Sequence, residues 1–294
     1  MRFFSNYQQK DDGTIRFYDL KSGKTKFWLI MIYIACALIA LVALYPVFWL
    51  ICSSLKDTEE FWSGTNIIPK TWDWQGWIDT WNAFGFTKYY INSGIAVAGG
   101  VICAVFFNGL IAYVLAVLRP RGSRVVLALI MWCLLIPPTT SFVALFVNIK
   151  KIGLTKSFIP LWLAMGANAY WVILFKNYFD GLPKDFIEAA RIDGCGDFGV
   201  FIRIILPLSK PIIVVVAIFA ITAAWSDFLM PYLLLQGTPK ETVMVKLYSF
   251  NSSIKTNRLD IIRAVLYSII PPTILFSVFQ KQIMGGVMNG GIKG

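Results

Sequence analysis

The sequence contains no histidine among its 294 residues. Histidine titrates closest to neutral pH and is the commonest metal ligand, so its absence excludes a histidine-based proton relay and a histidine-ligated zinc hydrolase. Cysteine is scarce as well, and the five cysteines include no pair at metal-ligand spacing. We therefore expect buried structural thiols, no metal site and no catalytic residues. The cysteines are Cys36, Cys52, Cys103, Cys133 and Cys195.

A phosphate-binding loop is also absent. Gly23, Lys24 and Thr25 look like the end of one, but that loop needs a glycine five residues before Gly23, and the position holds Tyr18. We therefore expect the chain to bind no ATP or other cofactor, and not to be an enzyme.

Charged residues make up only 15% of the chain, against 57% hydrophobic residues, and the mean hydropathy is +0.65. Soluble domains are nearer a quarter charged, so this composition indicates a membrane protein. A helix crosses the hydrocarbon core with about 20 apolar residues, because it satisfies its own backbone groups where there is no water. Six segments are long enough: about 27–53, 95–118, 125–148, 158–178, 212–235 and 261–284.

These segments predict an all-α polytopic membrane protein with six transmembrane helices. We expect an N-terminal tail over 1–26, a transmembrane domain over 27–284 and a C-terminal tail over 285–294. A charged loop over about 179–211 interrupts the transmembrane domain.

Lysine and arginine predict the orientation, because they are more frequent in cytoplasmic loops. With both termini cytoplasmic, 16 of the 27 basic residues lie inside. The clearest contribution is the short second loop, where Arg119, Arg121 and Arg124 occur without an acidic residue. The net charge of +11 is then explained by contact with anionic membrane lipid, and it requires no nucleic acid.

The charged loop carries the most specific pattern in the chain. Glu188, Ala189 and Ala190 are followed, after a gap of three residues, by Gly194. A gap of nine residues then leads to Ile204, and a gap of one residue leads to Leu206-Pro207. This spacing resembles the cytoplasmic EAA signature of the permease subunits of binding-protein-dependent ABC importers. An ordinary amphipathic helix resting on the bilayer is the alternative.

The resemblance covers nearly the whole chain and is closest to the smaller, six-span permeases of maltose-like systems, which import di- and oligosaccharides. Four further segments carry it, with Cys195 and Ser226 departing from the alanine and asparagine usual in the family. These segments are Ser54-Leu55-Lys56, Asn92-Ser93, Trp225-Ser226-Asp227-Phe228 and the glycine-rich ending from Gly290 to Gly294.

The resemblance implies a bacterial inner-membrane complex of several chains. A second, different permease subunit completes the pore, two ATPase subunits bind ATP and magnesium below it, and an extracytoplasmic solute-binding protein delivers the sugar. The EAA loop is expected to dock in a cleft of the ATPase, with Glu188 bonding a basic residue there. The predicted docking residues are Glu188, Ala189, Ala190, Asp193, Gly194, Ile204, Leu206 and Pro207.

Local patterns predict two short helices in this loop, with Phe186, Ile187 and Ala190 on one face of the first. Pro183 suits a first helical turn, and Gly194 permits the left-handed residue that ends a helix. Asp197 is expected to cap a second helix that stops before Pro207.

Polar and aromatic residues in or near the spans are candidates for the sugar path, because buried polar groups there usually face the bundle or water. Hydrogen bonding between helices explains the asparagines equally well. The candidates are Asn108, Asn168, Tyr170, Trp225, Asp227 and Tyr232.

Two other features have open interpretations. Pro137-Pro138 and Pro271-Pro272 should break helix hydrogen bonds, either as simple kinks or as hinges. The longest loop predicted to lie outside, about 55–92, is rich in tryptophan, for which we expect an interfacial belt. Its tryptophans are Trp62, Trp72, Trp74, Trp77 and Trp81.

Three other functions are compatible with a polytopic membrane protein. An ion-driven secondary transporter normally shows inverted repeats and paired intramembrane charges, and neither is evident. A membrane-embedded enzyme would need a reactive cluster. An ABC permease for amino acids, phosphate or metal ions stays open, because one scaffold serves many ligands.

Overall fold

The computed structural model describes residues 23–64, 66–252 and 257–291, with side chains up to residue 280. All regular structure in this part of the chain is helical, which confirms the predicted all-α class. The basic tail before Gly23 and the final Ile292, Lys293 and Gly294 lie outside the described residues.

The α-helices are numbered here in chain order. They are α1 Gly23–Ser54, α2 Thr58–Ser63, α3 Trp74–Phe84, α4 Phe86–Tyr113, α5 Ser123–Cys133, α6 Phe142–Lys151, α7 Ile159–Met165, α8 Ala169–Asp180, α9 Asp185–Ile192, α10 Asp197–Val200, α11 Leu206–Leu208, α12 Lys210–Ser226, α13 Leu229–Leu235, α14 Val243–Asn251 and α15 Arg258–Gly291. Two π-helical turns connect these elements: Val114–Leu118 continues α4, and Phe201–Ile205 joins α10 to α11. A 3₁₀ turn, Pro138–Ser141, precedes α6.

The chain forms two compact units, divided between Trp74 and Gln75. The first unit contains the long apolar helix α1 and the short helix α2. Asp57 caps α2, because its carboxylate accepts a hydrogen bond from the backbone N–H of Glu60 at 2.7 Å. The N–H of Asp73 returns to the carbonyl of Leu55 at 2.8 Å, which closes the loop that contains α2.

The second unit is built around α4, which packs against α7, α8 and α12. Its largest core combines residues of α4, α8, α9, the second π turn and α12, including Phe175, Phe201 and Val216, none of which is solvent-exposed. A second core joins α6, α7 and α13, and a third joins α3, α14 and α15. The charged loop therefore shares its core with α4, α8 and α12.

Three helices in the described residues are long and apolar enough to cross a membrane by themselves: α1, α4 with its π turn, and α15 up to Gln280. Three bent pairs raise the number to six if each pair counts as one span. The six-span count therefore stays a prediction.

The predicted third span is not one straight helix. α5 ends at Cys133, and the segment from Pro138 to Lys151 turns away from it by 96°. Pro137 and Pro138 cause the break, since proline lacks an N–H and disfavours helix in the residue before it. Around Pro271 and Pro272, by contrast, α15 stays helical.

The predicted fifth span is also wrong at its C-terminal end. α12 stops at Ser226, and α13 is a separate short helix that begins at Leu229.

Two expectations about single cysteines also need correction. Cys36 and Cys133 are exposed on this chain, so they are not buried thiols.

The five tryptophans between α1 and α4 do not share one environment. Trp62, Trp72 and Trp74 are exposed, but Trp77 and Trp81 lie against Tyr267 at ring distances of 4.9 and 5.0 Å. These two indoles are part of the core between α3 and α15, so their main role is packing.

Candidate functional site

The EAA loop, residues 179–211, contains the helix–glycine–helix arrangement that its sequence predicts. α9 runs from Asp185 to Ile192, two residues after Pro183. Gly194 has a φ of +79°, a left-handed conformation that other residues adopt at a cost. The N–H of Gly194 reaches the carbonyl of Arg191 at 3.0 Å, so the chain turns sharply at the end of α9.

α9 has one face in the core and one face free. Ile187 and Ala190 are buried at 7% and 8% exposure, whereas Glu188 and Ala189 are exposed. Residues three apart on a helix share a face, so this division follows from the spacing. Phe186 is 54% exposed and does not join the buried face.

The predicted docking residues thus divide into two groups. Ala190 is part of the chain's own core, and Ile204 and Leu206 are half-buried against it, so these three support the loop from inside. The surface open to another chain consists of Glu188, Ala189, Asp193, Gly194 and Pro207, all exposed. Of the two small residues Ala189 and Ala190, only Ala189 is therefore open to close approach by a partner chain.

Asp197 does not cap the second helix. It is the first residue of α10, the cap position is Gly196, and the Asp197 carboxylate pairs with Arg191 of α9 at 3.0 Å. Both side chains are about half exposed, so this pair contributes little to stability by itself. The pair connects α9 to α10 across the turn at Gly194.

The second helix also does not stop before Pro207. It continues through the π turn Phe201–Ile205 into α11, which ends at Leu208. Pro207 sits in the first turn of α11, where the missing N–H costs little.

Two aromatic residues fasten the loop to α4. Phe201 is fully buried and lies 5.4 Å from the ring of Tyr113 and 6.1 Å from that of Phe106. The Tyr113 hydroxyl donates to the carbonyl of Asp197 at 3.0 Å. The loop is thus attached to the end of α4 by a buried ring contact and a hydrogen bond. Sequence analysis missed this connection, since Tyr113 and Phe201 look like ordinary apolar positions.

A second connection joins the loop after α4 to the end of α8. Asp180 accepts from Arg119 at 2.8 Å and from Lys176 at 2.5 Å. Arg119 also donates to the carbonyl of Ala116 at 2.6 Å. One of the three arginines of the second loop is therefore occupied by internal contacts.

Asn108 and Asn168 form a joint between helices. The Asn108 side chain is fully buried and donates to the carbonyls of Ala104 at 2.7 Å and Met165 at 2.9 Å. Its oxygen accepts from the backbone N–H of Asn168 at 2.9 Å, and the Asn168 side chain caps α8 by accepting from Trp171 at 3.1 Å. These bonds occupy the Asn108 amide, which favours helix–helix bonding over contact with a solute.

Replacing Asn108 tests this structural role. Asn108→Ala should lower the free energy of unfolding by about 1–3 kcal/mol, because the N–H of Asn168 and the carbonyl of Met165 lose their buried partner. The midpoint of thermal unfolding of the purified transporter measures it, with Asn82→Ala, an exposed position on α3, as the matched control. A transport KM that changes while stability does not would contradict the structural role.

The other path candidates lie in different surroundings. Trp225 donates from Nε1 to the carbonyl of Ser268 at 3.0 Å and touches Tyr90 edge-on, so it is bound to α15. Tyr170 is 50% exposed. These candidates are thus held by different partners from those of Asn108 and Asn168.

Asp227 and Tyr232 lie at the break between α12 and α13. The Asp227 side chain is half-buried and lies near the backbone N–H groups of Leu229 and Met230 at the start of α13. Tyr232 is within 5.2 Å of the rings of Phe228 and Tyr248. The sequence did not indicate Phe228 and Tyr248 as neighbours of Tyr232, because aromatic residues beside a span resemble interfacial residues. Among the described residues, no cluster could hold a metal ion.

Comparison with known proteins agrees with this architecture. Residues 100–284 match the family model described as binding-protein-dependent transport system inner membrane component. The chain is 30% identical to a probable ABC transporter permease protein, YurM, of Bacillus subtilis (strain 168), over 92% of this chain and 89% of the relative. It is also 30% identical to the arabinooligosaccharides transport system permease protein AraQ of the same organism, over 87% and 93%.

A solved structure has the same fold. It is a chain of a bacterial ABC transporter involved in the import of the acidic polysaccharide alginate. The TM-score is 0.80 with 24% identity, and the match covers 88% of this chain and 98% of that one.

Proposed function

The chain belongs to the family of binding-protein-dependent transport system inner membrane components, and on that premise we propose that it imports di- or oligosaccharides as one half of an ATP-driven pore. The family membership makes it a membrane-embedded transport permease. The sugar class is supported by the relative named for arabinooligosaccharides and by the sequence segments typical of carbohydrate permeases.

The proposed complex contains a second, different permease, two ATPase subunits that bind ATP and magnesium, and an extracytoplasmic solute-binding protein. Both termini of this chain lie in the cytoplasm, so the EAA loop faces the ATPase. The face of α9 that carries Glu188 and Ala189 docks there, and Glu188 pairs with a basic residue of the ATPase.

One observation carries this mechanism: α9 is connected to the transmembrane helices by a continuous packed core. Its buried face, Ile187 and Ala190, lies in the same core as Phe201 of the π turn and Val216 of α12. A close-packed protein core has low compressibility and transmits strain, so it moves as a body rather than deforming locally. A force applied to the exposed face of α9 therefore reaches α4 and α12.

Transport then follows as a two-state switch. ATP binding closes the ATPase pair, the docked α9 helices move together, and the attached spans change from inward-facing to outward-facing. ATP hydrolysis takes place on the partner ATPase, and this chain contributes movement and the pore wall.

Reconstitution tests the function. Liposomes containing all proposed subunits and the binding protein should accumulate labelled oligosaccharide only when ATP is supplied to the ATPase side. Liposomes containing this chain alone should neither accumulate sugar nor hydrolyse ATP. Uptake by the chain alone under an ion gradient would contradict the proposal, and accumulation of amino acids or phosphate in place of sugar would contradict the substrate class.

A further inference from the structure

Two apolar grooves border helix α5 on the surface of the second unit. The first, of about 340 Å³, lies where α4 and its π turn meet α5, and Leu110, Ile111, Val114 and Val126 supply most of its wall. The second, of about 280 Å³, follows the face of α5 formed by Val125, Ala128, Leu129 and Trp132. Both are open, shallow and almost free of polar atoms.

Each groove ends at an arginine. Arg121 lines the first groove and Arg124 lines the second, and both are exposed. Within the described residues neither guanidinium has a hydrogen bond or ion pair, whereas neighbouring Arg119 is paired with Asp180. Residues 119–134 contain no acidic side chain. Two positive charges thus lie uncompensated at the ends of two apolar grooves.

From this arrangement we propose that the surface around α5 binds one anionic phospholipid. Its phosphate would sit between Arg121 and Arg124, and its two acyl chains would lie in the two grooves. A guanidinium matches phosphate oxygens with paired N–H donors, which makes arginine well suited to this headgroup. The inference depends on the chain lying in a membrane, and not on which solute it carries.

Charge distinguishes this occupant from ordinary bilayer lipid. Any acyl chain can fill an apolar groove, but a zwitterionic headgroup carries its own ammonium, which the two arginines repel. An anionic headgroup such as that of phosphatidylglycerol supplies a negative charge without a counter-charge. The lipid bound here should therefore be selected by its headgroup.

The test uses the full transporter purified from membranes. Native mass spectrometry measures how much phosphatidylglycerol is retained relative to phosphatidylcholine with the same acyl chains. Removing both charges in Arg121→Gln/Arg124→Gln should lower this preference about 30-fold, since each basic residue near an anionic surface contributes about a fivefold increase in binding. Lys150→Gln/Lys151→Gln, which removes two exposed charges at the end of α6, should leave the preference unchanged.

A second variant separates the grooves from the charges. Val126→Trp keeps both arginines and fills the first groove, so it should also lower lipid retention. Glycerol phosphate, which has the headgroup charge without acyl chains, should not displace the lipid.

Three outcomes would overturn the proposal. Equal retention of the two lipids would remove the selectivity, and full retention in Val126→Trp would reduce the effect to diffuse surface attraction. Efficient cross-linking of a Val126→Cys variant to the second permease subunit in the assembled transporter would mean that protein, and not lipid, covers the groove.

Discussion

Glu188→Lys should abolish sugar uptake while the chain still inserts and assembles. The Glu188 side chain is exposed on α9 and has no packing role in this chain, so the substitution leaves the core intact. At the proposed ATPase contact, however, it replaces an attractive pair with two like charges, and a disrupted docking contact transmits no movement. We expect uptake to fall to background in liposomes or whole cells, with normal amounts of the chain in the membrane.

Two controls make the Glu188 result specific. Glu188→Gln removes the charge without reversing it, so it should retain partial uptake. Glu59→Lys makes the same charge change on the exposed surface of α2, outside residues 179–211 of the EAA loop, and should transport normally. If Glu188→Lys supported full uptake, the docking role would be wrong.

The contact itself can be detected by cross-linking. A cysteine introduced by Ala189→Cys is exposed and should cross-link to a cysteine in the ATPase cleft. Ala190→Cys is the matched control. It should not cross-link, because Ala190 is 8% exposed and faces the core. Labelling of the Ala189→Cys variant by an impermeant reagent outside intact cells would contradict the proposed topology.

Phe201→Ala should be the most destabilising single change in the EAA loop. Phe201 is fully buried between Tyr113 and Phe106, and its removal leaves a cavity where the loop meets α4. We expect a loss of about 3–5 kcal/mol in the free energy of unfolding, as for other buried phenylalanines. In transporter that remains folded, ATP hydrolysis should continue while uptake falls, because the docked helix is no longer fixed to the spans.

The matched control for Phe201 is a phenylalanine three residues earlier. Phe198 is 60% exposed, so Phe198→Ala should change the thermal unfolding midpoint far less than Phe201→Ala. Equal destabilisation by the two variants, or uptake and hydrolysis that decline in proportion in Phe201→Ala, would show that Phe201 is not the mechanical connection.

The sequence predicts α9 well because its signals are local. Proline before the helix, glycine after it and apolar residues at helical spacing depend only on neighbours in the chain. The helical class and the approximate positions of the apolar segments follow from composition in the same way. The buried face of α9, Ile187 and Ala190, agrees with the pattern, whereas exposed Phe186 does not.

The missed features depend on contacts between distant segments. Asp197 has the residue type of a helix cap, but its carboxylate pairs with Arg191 while Tyr113 holds its carbonyl, 84 positions away. Asn108 could face a solute or another helix, and only its bonds to Met165 and Asn168 decide between them. The end of α12 at Ser226 was missed because hydropathy stays high beyond it.

The attachment of Tyr113 to the Asp197–Phe201 segment has a consequence for hybrid transporters. Engineers who exchange specificity for an ATPase between related permeases will be inclined to transplant only residues 179–211. That piece would arrive without its own Tyr113 and without the π turn Val114–Leu118, whose Leu115 and Ala116 are buried in the same core. The transplanted segment should therefore include the end of α4, so that the contact between Tyr113 and the Asp197–Phe201 segment is formed by side chains of the same donor.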